Sequence, residues 1–180
     1  MIAVLGVLQT DEGMRVRDEM LAWLRSLYEV IEVHQCAPGV RYEYPAIALA
    51  CDMSYKLQEP VLYLHTKGAA NTHPVQAVIR RMWRNELGNE AYLQKYLDLL
   101  TGGPKIATPI MSPVGKCTWF NAWIINKEAA EILRDHCVPS DERYDYESVA
   151  RDTDIEVVSP YEPKENKAIF DLTRELSNAH

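Results

Sequence analysis

Several familiar signatures are missing from this sequence. There is no C-x-x-C pair among Cys36, Cys51, Cys117 and Cys137, which argues against a zinc site and fits reduced thiols in a cytoplasmic protein. Neither the G-x-G-x-x-G of dinucleotide folds nor the glycine spacing of a Walker-type phosphate loop occurs. No apolar run approaches the roughly 20 residues needed to span a bilayer. The N-terminus, Met1-Ile-Ala-Val-Leu-Gly6, lacks the cationic region of a signal peptide and reads as a first strand. The formal net charge of −7 argues against a general nucleic-acid binder. A more local absence is more informative. From Pro60 through Asn85 there is no Asp or Glu, while four Lys/Arg and two His are present.

At 180 residues, 47% hydrophobic and 25% charged, the chain has the composition of one globular domain, residues 1–180, with a sizeable core. Ile2 to Leu8 is a continuous apolar run, consistent with a strand buried on both faces. Val16, Met20, Trp23, Leu24 and Leu27 then recur on one face of a helix that Thr10 or Asp11 can cap. Val30 to Val33 reads as a second strand, and Tyr44-Pro45 as the start of a helix with Glu43 at its positive end. Val61 to Leu64 is a third strand. The helix after it carries Val75, Val78, Ile79, Met82 and Trp83 on one face and Gln76, Arg80 and Arg84 on another.

Glu90 to Leu100 predicts a further helix stopped by Thr101-Gly-Gly-Pro104, and Ile106 to Met111 a short or edge strand. Trp119 to Ile125 is strand-like, with Asn126 able to cap a helix after it. An acidic helix over Ser140 to Arg151, a last strand over Ile155 to Val158 and a short helix over Ala168 to Leu176 complete the pattern. This alternation predicts an α/β fold, a mainly parallel sheet with helices on both faces. In such sheets ligands sit beyond the carboxyl ends of the strands, which would gather Gln9, Thr10, His34, His65 to Gly68 and Thr108 on one edge.

Within that edge, His65-Thr66-Lys67-Gly68 combines a ring donor, a hydroxyl, a point charge for phosphate and a residue allowing close backbone approach. The same string would also serve as a solvated turn that ends a strand. Arg80, Arg81 and Arg84 are either partners for a diphosphate or an ordinary solvated helix face. Asn121, between Trp119 and Trp123, pairs an amide with aromatic faces of the kind that hold sugars, or is one polar residue in a core strand. Asp141, Asp145 and Glu147 are candidates for a general base as well as for surface charge. Asp152-Thr153-Asp154 has the spacing of a divalent-metal pair but sits late in the chain, where a polar turn accounts for it equally.

In Glu43-Tyr-Pro-Ala46, Val61-Leu-Tyr-Leu-His-Thr-Lys-Gly68 and Trp119-Phe-Asn-Ala122 the sequence resembles a group of bacterial glycosyltransferase-like proteins. The resemblance runs over about residues 43 to 125. It implies a Rossmann-like, GT-A-like nucleotide-sugar fold, with the His-Thr-Lys-Gly string standing where metal-dependent members carry D-x-D. No acidic pair occupies that strand end, so Mg or Mn has no mid-chain ligands there, and Lys67 with Arg80 or Arg84 would offset the charge of a leaving diphosphate. The expected partners are a nucleotide-sugar donor and a carbohydrate or other hydroxyl acceptor. Gln9 and Thr10 would border the nucleotide, and Glu147 or Asp145 would take the acceptor proton. The alternatives are a non-catalytic nucleotide-sugar or anion-binding module of the same fold, and a phosphate-ester enzyme working through the cationic helix.

Overall fold

The computed structural model describes residues 1–35, 43–66, 74–112, 116–118, 122–140 and 142–178. Among the described residues six strands form one sheet: β1 (Ile2–Leu8), β2 (Glu29–Gln35), β3 (Val61–His65), β4 (Lys105–Ala107), β5 (Trp123–Ile125) and β6 (Glu156–Val158), in the order β2-β1-β3-β5-β4-β6. The same residues hold seven helices: α1 (Asp11–Leu24), α2 (Tyr44–Leu57), α3 (Pro74–Leu87), α4 (Glu90–Leu99), α5 (Lys127–His136), α6 (Arg143–Glu147) and α7 (Pro163–Asn178).

The sheet is mixed rather than parallel throughout. β1 pairs in parallel with β2 and β3, and β4 with β6, but β5 runs against both β3 and β4. Among the described residues between β4 and β5 there is no helix to carry the chain back, which accords with β5 returning antiparallel.

β1 is apolar along its length because both its faces are covered. Ala3, Leu5 and Val7 pack with Leu62 and Leu64 against α1, α3 and α4. Val4 packs with Val61 and Tyr63 on the other face, against Ala46, Ile47 and Ala50 of α2 and Ala129, Ala130 and Leu133 of α5. Caps set the helix starts. The Thr10 hydroxyl accepts from Gly13 N at 3.0 Å, and Pro45 occupies the first turn of α2. Asn126 caps α5 by accepting from Ala129 N at 3.0 Å and also accepts from Lys105 N at 3.1 Å. Its amide donates to Leu100 O and Gly103 O, so one buried side chain knits α4, β4 and α5 together at the sheet's amino edge.

Some boundaries differ from the sequence pattern. β4 ends at Ala107 because Thr108 turns inward, its hydroxyl donating to Ala122 O at 2.9 Å. The helix expected over 140–151 is only Arg143–Glu147, followed by a turn, and the C-terminal helix is longer than expected, starting at Pro163. Among the described residues no helix is long and apolar enough to cross a membrane.

Candidate functional site

The chain leaves β1 for β2 on one side and, after α2, returns past β1 to place β3 on the other. α1 and α2 therefore lie on opposite faces, and the strand order switches direction between β1 and β3. A crevice opens beyond the carboxyl ends at such a point, the usual ligand position in an open α/β sheet. The residues there are Gln9 and Thr10 after β1, and His65 and Thr66 at the end of β3. They are stitched together: Leu8 N donates to Thr66 Oγ1 at 3.1 Å, and Thr66 N donates to Gly6 O at 2.9 Å. Lys67 and Gly68 follow directly in the chain but lie outside the described residues, as do Asn121, Trp119 and Asp141.

His65 is 9% exposed and sits edge-on to two rings, Tyr63 at 6.4 Å and Trp83 at 6.1 Å between centroids. Tyr63 packs on Trp123 at 4.7 Å. On the α2 side a carboxylate joins this cluster. Glu43 Oε1 lies 2.8 Å from His65 Nδ1, and Glu43 Oε2 accepts from the Tyr63 hydroxyl at 3.1 Å. The His65 contact is short, although the ring N–H does not point straight along it. Burial first, and then the Glu43 charge, push the Tyr63 hydroxyl well above the usual tyrosine range, so it stays protonated and donating. Glu43 and Tyr63 are functional candidates that the sequence pattern did not single out. Period-two alternation does put Tyr63 on the same face as His65. The contact with Glu43, by contrast, depends on where α2 begins relative to the sheet.

The cationic helix divides. Arg80 is 8% exposed, with Nε 3.4 Å from Glu19 Oε1 of α1. Its charge also reaches Glu12, whose carboxyl is held below its usual range chiefly by a hydrogen bond from Arg15. Arg84 does not join the crevice. α3 starts at the carboxyl edge and runs back across the sheet, which puts Arg84 about 15 Å along the axis from the start of the helix. There it lines a hollow of about 620 Å³ with Ser26, Gly88 and Tyr92, near the amino edge. The N-terminus of α1 carries its own anions, Asp11 and Glu12. These already answer the helix dipole, so an anionic ligand would be met from the β3 side of the crevice.

The acidic candidates sit beside the α2 face. Asp145 is exposed and accepts from the Ser140 hydroxyl, and it borders a hollow of about 260 Å³ with His136, Cys137 and Arg151. Glu147 is 6% exposed, and its carbonyl accepts from Thr118 N at 2.8 Å. Between them Tyr146 is buried in the α2 face and senses the Glu43 charge, which places α6 near the Glu43–Tyr63 pair. Asp152 and Asp154 are exposed residues of a turn, with Asp152 at φ 60° and the buried Thr153 hydroxyl donating to Ala150 O at 2.7 Å. Among the described residues no three His, Cys, Asp or Glu side chains group as a metal site. His34 lies near the carboxyl end of edge strand β2, opposite Val7 and 3.3 Å from Glu32.

No family model, curated protein or solved structure matches this chain. The reading of the site therefore rests on its own geometry. That geometry brings Gln9, Thr10, His65 and Thr66 to the carboxyl edge of the sheet at a topological switch point, with a Glu43 carboxylate oxygen 2.8 Å from the imidazole.

Proposed function

We propose that this protein is a cytoplasmic glycosyltransferase-like protein that takes a nucleotide-diphosphate sugar and transfers the sugar to a hydroxyl acceptor, in the setting of bacterial surface-polysaccharide synthesis. The observation that carries the reading is the convergence of Gln9, Thr10, His65 and Thr66 at the switch point between β1 and β3. A second observation supports it. Glu43-Tyr-Pro-Ala46 and Tyr63-Leu-His-Thr66, distant in sequence, meet through Glu43, Tyr63 and His65. These are two of the segments that carry the resemblance to glycosyltransferase-like proteins, and their contact is consistent with a shared GT-A-like site.

On this reading Gln9 and Thr10 border the nucleoside, Thr66 and Lys67 meet the diphosphate, and the sugar faces the loops that follow β3 and β4. Positive charge from side chains serves the leaving diphosphate in place of a metal. The competing reading, a non-catalytic module of the same fold, is favoured by one observation: Asp145 is already engaged by Ser140.

Calorimetry with uridine, guanosine and thymidine diphosphates and their sugar conjugates tests the proposal. At least one nucleoside diphosphate binds the wild-type chain, and Lys67→Ala weakens it by about tenfold or more, the scale of a lost charge-assisted contact. Binding by none of them, or equal binding by Lys67→Ala, removes the proposal. Release of nucleoside diphosphate in the presence of acceptor distinguishes a transferase from a binding module.

A further inference from the structure

Glu43 and His65 form a pair whose geometry is more specific than binding requires. Nδ1 and a carboxylate oxygen lie 2.8 Å apart, too close for two lone pairs to face each other, so the ring proton is assigned to Nδ1 even though its N–H is not aligned with the oxygen. In the neutral ring that leaves the lone pair on Nε2. The other oxygen of Glu43 is held by Tyr63, whose hydroxyl remains a donor because burial and the neighbouring charge oppose its ionisation. Glu43 also stands at the N-cap of α2, where the helix dipole favours an anion. Its carboxylate is thus held by the Tyr63 hydroxyl on one oxygen and favoured by the dipole, with His65 Nδ1 close beside the other oxygen. An imidazole backed in this way is fitted to accept a proton at Nε2 and to carry the resulting charge opposite the carboxylate. His65 is the last residue of β3, at the carboxyl edge of the sheet, and its side chain keeps 11% of its surface exposed.

We infer that His65 is the base of this site and Glu43 its positioning residue, in place of Asp145 or Glu147; the inference rests on the transferase reading above. As the acceptor oxygen bonds to the anomeric carbon, its proton passes to His65 Nε2. The bond between that carbon and the diphosphate oxygen breaks, and the electron pair leaves with the nucleoside diphosphate. The imidazolium faces Glu43 until the proton is lost to solvent. Donor sugar, acceptor hydroxyl and water are the only reactants.

The test has a spectroscopic part and a kinetic part. Long-range ¹H–¹⁵N correlation spectra at about pH 8, where an ordinary imidazole is neutral, report the tautomer, with the His65 signals assigned from His65→Gln. The wild-type ring is Nδ1–H. Glu43→Gln, of the same shape, loses that preference, and Tyr63→Phe, which disturbs the same cluster but spares the carboxylate, keeps it. With UDP-glucose or another sugar nucleotide found to bind, His65→Gln lowers kcat for nucleoside diphosphate release by about 10²- to 10⁴-fold, the usual worth of a general base. Glu43→Gln lowers it less. A wild-type Nε2–H ring, or a tautomer unchanged in Glu43→Gln, overturns the pair. Loss of turnover in Glu147→Gln with turnover retained in His65→Gln overturns the base. Absence of nucleoside diphosphate binding by the wild-type chain overturns the transferase reading and the base role with it, while the tautomer spectra still decide whether Glu43 holds the ring.

Discussion

Leu8 N and Thr66 Oγ1 are 3.1 Å apart, and this bond carries the pairing of β1 and β3 one step past the end of β3. Thr66 is 5% exposed, so little water is at hand to replace its hydroxyl. Thr66→Val keeps the shape and leaves the Leu8 amide without its acceptor, a loss of about 1–3 kcal/mol. Urea unfolding reads this as a lower midpoint at unchanged slope. Thr66→Ser, which retains the oxygen, stays close to wild type.

Gly13 is required by contact. A Cβ there would stand 1.9 Å from the Leu8 carbonyl oxygen and 2.8 Å from its carbon. Both are backbone atoms at the end of β1, so α1 itself must move. Gly13→Ala costs about 3 kcal/mol, the upper end of overpacking, and lowers Tm by about 6–12 °C for a chain of this size. It also shifts Gln9 and Thr10, so nucleoside diphosphate affinity falls with it. Calorimetry below the unfolding range separates the two effects.

Glu86, 8% exposed, accepts from Tyr96 of α4 at 3.3 Å and from Tyr161, just ahead of α7. Burial, followed by the hydrogen bond to Glu86, raises the Tyr161 hydroxyl above its ordinary range and keeps it donating. Tyr161→Phe removes a hydrogen bond to a buried charge and costs about 1.5–3 kcal/mol. Amide exchange accelerates first in α7, which this bond helps to hold on the core together with the Asn166 contact to Met111 N and the packing of Ile169.

Glu32 on edge strand β2 is held below the usual carboxyl range, chiefly by its hydrogen bond from Arg17, with His34 and Arg25 adding to it. Between the ordinary value and the lowered one, the unfolded chain takes up a proton that the folded chain does not. The stabilisation is therefore complete above about pH 5 and fades as the pH falls through the window below. The pair is partly solvated and contributes no more than about 1 kcal/mol. Glu32→Gln lowers Tm slightly at neutral pH and flattens the decline below about pH 5, as thermal scans across acidic pH measure.

Much of this architecture is written locally. The apolar run Ile2–Leu8, the capping residues Thr10 and Asn126, and Pro45 in the first turn of α2 each specify their element without distant help. The direction of β5 is not written that way, because Trp-Ile-Ile reads the same in either sense and only the loop from β4 decides. The crevice was legible as far as strand ends could be placed, which located Gln9, Thr10, His65 and Thr66 together. Arg84 shows the limit. Spacing by four puts it on the same face as Arg80, but each such step travels about 6 Å along the axis, away from the ligand edge. Glu43 was invisible as a partner of His65 because the contact joins residues 22 apart through the seating of α2 on the sheet.

Asn126 has a consequence for how this molecule can diverge. Its four bonds fasten the amino edge through a single side chain, and Asn126→Asp would strand Leu100 O and Gly103 O beside a buried charge. That edge is therefore closed to substitution. The loops after β1, β3 and β4 leave from the other edge and carry none of those bonds. Tolerance is thus unevenly distributed, so relatives of this chain would keep one rim of the sheet fixed while exchanging ligand chemistry on the other.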